Sequence, residues 1–437
     1  MLFDFGVIGI LYFAALAWGS KETWAMGFFS LATLAVLAGN MIWDCWRGKI
    51  RIMAAWAFAP FLLFLAYVGL QRIRPATPLH PGSASPPLTL EPYSTGLYLL
   101  VAAACFSLIL LVAHGFRSRE QIKRLVLYIL ALGAFEALYG LIQYLGDYHY
   151  IWSTPVTGDI AQGTLPNRNH YALLLNLSIC CGIGYLYYRS VRLLRGQNLS
   201  IRNVLSAPGS AQLAWIILWL GLMGLALVFS MSRMGIFAMF GCISVMLVFA
   251  KASEHGRRTR IMGFALLCVI LGLAIYTGID AVLARYEAVT QSGYFEKDRL
   301  PIWRQAWKMA RGHTIFGQGL GTFYWAFPAY ENYEPDIAAA YAHNDYLQAL
   351  TEVGWVGLLL IVAAFAASWR SALRNLVRAS DPLVRGIGLA TLGALSAAAL
   401  QEITDYSLYR PGVAALFAVL LGLNFRAAYL PRVDSDN

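Results

Sequence analysis

Twelve apolar runs, each about 20 residues long, divide this chain, and short charged links separate them. They fall at about 5–19, 24–43, 52–70, 95–114, 125–145, 169–188, 213–230, 235–250, 261–279, 346–368, 386–403 and 411–428. A helix rising 1.5 Å per residue needs about 20 apolar residues to cross the roughly 30 Å hydrocarbon layer of a bilayer. Only a structure that satisfies its own backbone hydrogen bonds is tolerated there, so runs of this length read as helices. The expected fold is therefore all-α: one polytopic membrane domain over 1–437 with about twelve transmembrane helices. Composition agrees, since 59% of the 437 residues are hydrophobic and 13% are charged, against roughly 25% charged in soluble domains. The first run lacks a basic start and a small-residue cleavage site before Lys21, so it reads as a retained span.

Basic residues set the expected orientation. With the N-terminus in the cytoplasm, the links 44–51, 114–124, 189–212, 251–260 and 369–385 and the tail hold 21 of the 33 Lys and Arg. Of the other 12, six lie in one long segment, 280–342. Both termini are expected inside and the long segment outside. The net charge of +10 then reports topology and contact with anionic lipid, not nucleic-acid binding. The six cysteines show no metal-ligand or disulfide spacing, and Cys180-Cys181 read as core filling.

Polar residues concentrate on the outer side. The segment 71–94 is Pro-rich, and 146–168 ends in Gly163-Thr-Leu-Pro-Asn-Arg-Asn-His-Tyr171. A tight turn, Ser230-Met-Ser-Arg-Met-Gly235, joins two spans. Within the long segment, Leu300 to Arg311 reads as an amphipathic interfacial helix, with Pro301 at its start and Gly312 at its end. Ile302, Trp303, Ala306, Trp307 and Ala310 form its apolar face, and Arg304, Lys308 and Arg311 another. Gly317, Gly319 and Gly321 make a flexible or close-packed turn, and no Lys-Ser/Thr follows to make a phosphate loop.

His343 is the leading catalytic candidate because it stands where this segment meets the next span. A histidine ordinarily titrates near pH 6.5, which suits a general base or proton relay. A histidine capping that span is the alternative, with Asn344 and Asp345 as its neighbours or cap. Arg233, in the tight turn, and Arg299, before the amphipathic helix, carry the residue type best suited to forked hydrogen bonding with a diphosphate. Arg168 and His170 form a further basic cluster, suited to headgroup contact or catalysis. Glu136 and Glu402 are the carboxylates within spans, and they keep a coupled transporter open as a competing class. A transporter ordinarily shows an internal repeat, and none is evident here.

Taken in order, these landmarks resemble the O-antigen ligase/O-antigen polymerase superfamily of bacterial inner-membrane glycan transferases, over roughly 160–425. The resemblance rests on Gly163 to Tyr171, on Ser230 to Gly235, and on Arg299-Leu-Pro-Ile-Trp303 with Phe316-Gly-Gln-Gly-Leu-Gly-Thr322. It also rests on His343-Asn-Asp-Tyr-Leu347 with Glu352 and Gly354, and on Thr404-Asp-Tyr-Ser-Leu-Tyr-Arg-Pro411. It implies a metal-independent glycosyltransferase needing no cofactor and working at the periplasmic face. The donor would be a glycan on undecaprenyl diphosphate, and the acceptor either lipid A-core or another glycan chain. Carried over, Arg233 and Arg299 would hold the diphosphate while His343 serves the acceptor hydroxyl. Arg168, His170, Arg304, Asn344 and Asp345 are secondary candidates. A polymerase joining lipid-linked repeats shares the donor and differs in the acceptor.

Overall fold

The computed structural model describes residues 2–48, 55–73, 89–193, 209–250, 272, 299–330 and 339–430. The expected span 261–279, the basic link 251–260, most of the Pro-rich segment, residues 280–298 of the long segment and the tail Asp434 to Asn437 lie outside the described residues, apart from Gly272.

Helices occupy the eleven other expected spans: α1 (Leu2–Leu16), α2 (Thr23–Trp46), α3 (Ala55–Ile73), α4 (Pro92–Gly115), α5 (Arg119–Leu145), α6 (Arg168–Leu193), α7 (Ser210–Phe229), α8 (Arg233–Ala250), α10 (Asp345–Arg378), α11 (Pro382–Gln401) and α12 (Pro411–Ala427). Eight are long and apolar enough to cross a membrane, while α1, α3 and α12 are shorter apolar helices. The amphipathic helix forms as expected and is α9 (Leu300–Gly312). A two-residue hairpin, Tyr150–Ile151 with Thr154–Pro155, is the one β element among the described residues.

Short-range chemistry starts these helices. Ser118 and Gln121 form a reciprocal capping box at α5, with Gln121 N donating to Ser118 Oγ at 3.2 Å and Ser118 N to Gln121 Oε1 at 2.9 Å. Glu91 and Asp381 cap α4 and α11, each followed by a proline in the first turn. The bundle is built round α6, whose side chains from His170 to Tyr188 are buried. Helices α5, α7, α8 and α11 pack against it, and α10 packs against α3 and α11. Gly184 of α6 and Gly386 of α11 meet so closely that a Cβ on either would strike the other's carbonyl. Such small-residue contacts hold helices together in lipid, where apolar surface gives little drive to associate.

The two ends of the bundle differ chemically. The end holding the α5 N-terminus carries the ion pairs Arg124–Asp4 (3.1 Å), Arg117–Asp44 (2.5 Å) and Arg119–Asp381. The opposite end holds the α6, α8, α10 and α12 N-termini together with α9. Every described candidate site residue is there.

One span is not continuous. Gly354 interrupts α10 with φ 59° and ψ −167°, a conformation essentially restricted to glycine. The segment after α9 hydrogen-bonds into this break: Trp355 N donates to Thr314 O (2.9 Å), Val356 N to Ile315 O (3.2 Å), Gln318 N to Thr351 O (3.1 Å) and Gly319 N to Glu352 O (2.8 Å). Gly317 and Gly354 face each other, both at positive φ, because no Cβ fits between the two strands of backbone. The glycine turn is therefore close-packed, and it splices α9 to α10.

Candidate active site

His343 sits at the splice's upper end, immediately before α10. Its φ of 49° is left-handed, a conformation that costs a non-glycine residue on the order of 1–2 kcal/mol. The surroundings hold it there. Asn344 is the helix cap, its Oδ1 accepting from Leu347 N at 2.9 Å, as expected. Ala342 N donates to Gln348 Oε1 (3.0 Å), and the Trp303 indole of α9 donates to Ala342 O (3.0 Å). The amphipathic helix thus packs as a brace: Ile302, Ala306, Met309 and Ala310 are buried, while Arg304, Trp307, Lys308 and Arg311 are exposed. Trp307 was expected on the apolar face, and Met309 takes its place.

Opposite His343 lies the segment 402–410, which links α11 to α12 and supplies most of the site. Tyr406 is its centre. The Tyr406 ring stacks on Tyr341 (centroids 4.1 Å apart, 3° between planes). It meets His343 edge-on at 5.0 Å and His170 edge-on at 4.8 Å. The Arg410 guanidinium lies over both tyrosines, 4.8 Å from the Tyr341 centroid and 5.4 Å from Tyr406. One aromatic pair therefore connects both histidines and an arginine.

Arg299 donates from Nη1 to Thr404 O, tying the start of α9 to this segment. Asp405 is buried, with Nε2 of His170 3.7 Å from its Oδ1. Burial pushes the Asp405 carboxyl up to about 6, even though the Tyr406 N–H and the positive charges of Arg299 and Arg168 pull it down. Because the folded-state pKa is raised, the folded chain binds the proton more tightly than the unfolded chain between about pH 4 and 6. Stability is thus expected to fall as pH rises across that window. Asp405→Asn should flatten the dependence, measured as unfolding temperature against pH in detergent; an unchanged slope would contradict the assignment.

Glu402 is buried, 2% exposed. Its Oε2 accepts from Ser407 N at 2.8 Å, and its backbone O accepts from Asp345 N at 3.0 Å. Glu136 is structural too: Thr164 donates to it from N (2.8 Å) and Oγ1 (2.6 Å), which fixes the Gly163-Thr164 turn. Glu136, fully buried, lacks the open setting of an ion pathway.

Arg233 begins α8 and is exposed. The preceding Ser232 donates from Oγ to Asn169 Oδ1 (2.8 Å), placing the turn beside Arg168 and His170 at the head of α6. Gln401 donates to Asn169 O (2.5 Å) from the end of α11. Arg168, His170, Arg299 and His343 therefore gather round the 402–410 segment, with Arg233 at the flank and Arg304 turned out on α9.

Sequence reasoning assigned no roles to Tyr341, Asp405, Tyr406 or Arg410, although it marked 404–411. The available signal was a polar, Tyr- and Arg-rich interruption between two apolar spans. One group of described residues has metal-ligand spacing: Asp147, His149 and Asp159, with ligand atoms within 4.8 Å. Both carboxylates are exposed, and His149 Nε2 sits 2.7 Å from Asp147 Oδ1, as in a surface pair.

Below the segment, between α3, α4, α10, α11 and α12, is a cavity of about 360 Å³. Phe61, Phe106, Phe365 and Leu421 are among its apolar walls, while Asp345, Glu402 and Tyr409 mark its polar end.

These features define an all-α polytopic membrane protein with a basic, histidine-containing site at one end of the bundle. Residues 218–362 match the family model of O-antigen ligases. The matched stretch contains Arg233, Arg299, His343, Glu352 and Gly354. No curated protein matches the chain.

Proposed function

We propose that this protein transfers a glycan from undecaprenyl diphosphate to an acceptor hydroxyl, at the periplasmic face of a bacterial inner membrane. The observation that carries this reading is the gathering of His343, Arg299, Arg168 and His170 round one loop at one end of a membrane bundle. Both termini are then cytoplasmic, in keeping with the basic links. His343 accepts the proton of the acceptor hydroxyl, whose oxygen attacks the anomeric carbon of the donor. The bond from that carbon to the diphosphate oxygen breaks, and the departing undecaprenyl diphosphate carries the electron pair. Arg233 and Arg299 stabilise the charge that develops on it, the work that fixed donors do best in a site closed to water. Guanidinium groups do this without a metal ion. The apolar cavity beneath the loop suits a polyprenyl chain leaving the site toward lipid. Lipid A-core and a second lipid-linked glycan are the two acceptors to compare, since they separate ligation from polymerisation.

The test is transfer by purified protein from an undecaprenyl-diphosphate oligosaccharide, with EDTA present and each acceptor offered in turn. The two arginines should fail differently. Arg299 also holds Thr404, so Arg299→Ala is expected to lower kcat about 10²–10³-fold and to lower the unfolding temperature. Arg233 is exposed, so Arg233→Ala is expected to weaken donor binding with an unchanged unfolding temperature. Full activity in both variants would sink the diphosphate assignment.

A further inference from the structure

A second cavity, of about 140 Å³, lies on the far side of His170 and Tyr406, where the turn between α1 and α2 meets the 402–410 segment. Trp18, Lys21, Asn167, His170, Tyr406 and Arg410 line it. None of them falls in the matched stretch 218–362. Its volume is many times the ~10–15 Å³ that one water requires, and it suits one sugar ring with its substituents.

Three observations make this a built site. First, the turn that forms its wall is strained: Trp18, Gly19 and Ser20 are consecutive left-handed residues, with φ of 51°, 62° and 52°. Two of them carry side chains that disfavour that conformation, and such strain persists where packing over-determines it. Ser20 Oγ donates to Ala14 O (3.1 Å), and Gly19 packs against the backbone of Gly412. Second, His170 is 4% exposed, and its Nε2, 3.7 Å from Asp405 Oδ1, completes no hydrogen bond among the described residues, so a guest in the cavity could supply one. Third, the cavity is cationic: no carboxylate lies within ion-pair distance of Lys21 or Arg410 among the described residues. An anionic guest with ring hydroxyls answers all three, because Trp18 offers a face for a sugar ring, Asn167 and His170 offer polar atoms, and Lys21 with Arg410 offer charge.

We propose that this cavity is a subsite for one carboxylate-bearing sugar ring, a hexuronate residue of the glycan being handled. The inference rests on the glycan-transfer reading and narrows its substrate to acidic glycans. Tyr406 separates the subsite from His343 by one ring, so the bound uronate sits next to the reacting sugar in the chain. Arg410 holds the carboxylate from one side while keeping the Tyr341–Tyr406 stack in place.

The test is ligand binding, read by saturation-transfer NMR on full-length protein in nanodiscs. The probes are methyl β-D-glucuronide, methyl β-D-glucoside and inorganic pyrophosphate. The glucuronide should bind at least about tenfold more tightly than the glucoside. Lys21→Gln should abolish that preference, and Lys21→Arg should restore it. Arg233→Ala should leave glucuronide binding unchanged. Equal binding of the two sugars, or a preference indifferent to Lys21→Gln, would overturn the proposal. Pyrophosphate displacing the glucuronide with the same dependence on Lys21 would also overturn it, making the cavity part of the diphosphate site. Because binding is read without turnover, a failed subsite with transfer intact is distinguishable from failed transfer with the uronate still bound.

Discussion

His343→Asn is expected to fold as the parent does and to lose glycan transfer by about 10²–10⁴-fold, the usual contribution of a positioned general base. Asparagine is the substitution of choice because of the backbone. At φ 49° most residues pay for their Cβ, and asparagine is among the few that adopt this conformation readily. The variant therefore removes the imidazole while preserving the left-handed turn and the cap that follows it. An alanine there would combine lost chemistry with added strain. The measurement is the initial rate of transfer from the lipid-diphosphate oligosaccharide, with unfolding temperature as the control. A rate within about threefold of the parent, at an unchanged unfolding temperature, would remove His343 from the chemistry.

Glu352→Ala is expected to cost on the order of 3 kcal/mol or more in stability and to abolish transfer as well. The Glu352 carboxyl gathers four donors: Gly321 N at 2.8 Å, Phe323 N at 3.2 Å, Gln348 Nε2 at 3.1 Å and Tyr409 Oη at 2.7 Å. Each buried donor left without a partner costs about 1–3 kcal/mol, and relaxation around a small residue recovers part of the sum. The four come from the glycine turn, from the segment after it, from α10 and from the 402–410 loop. Glu352 thus ties the glycine turn, α10 and the 402–410 loop together while lying nine residues from His343 in sequence. Unfolding temperature and transfer rate should fall together. Loss of stability with full transfer would show that the hub supports the fold alone.

The architecture was largely legible because bilayer thickness leaves few choices. An apolar run of 20 residues has one regular way to satisfy its backbone, and the eleven expected spans among the described residues are all helical. The amphipathic helix was legible for the same reason, through Pro301, Gly312 and the spacing of Ile302, Ala306 and Ala310. The matched stretch 218–362 contains the motifs at 230–235, 299–322 and 343–354. What sequence did not reveal depends on contacts between distant segments. Glu402 read as a carboxylate within a span that kept a transporter open; its backbone instead anchors Asp345, 57 residues earlier, at the start of α10. Glu136 looked like a membrane charge with a task of its own, and Thr164 turns out to use it as an anchor. Tyr406 gave no sign of its importance, since stacking with Tyr341 and edge contacts with two histidines have no periodicity to detect. Gly354 was visible as part of a motif, but its purpose emerges only when Gly317 is seen facing it.

The break at Gly354 also fixes a length. His343 precedes it by eleven residues, and from Asp345, the first residue of α10, nine helical steps lead to the break, so this helical segment sets the distance from histidine to splice. Inserting a single residue between them would swing His343 by about 100° round the helix and lift it by about 1.5 Å, away from Tyr406 and into the neighbouring turn. Deleting one would do the reverse. The residue count of that stretch thus behaves like the teeth of a gear: any change in number disengages the histidine from its partner.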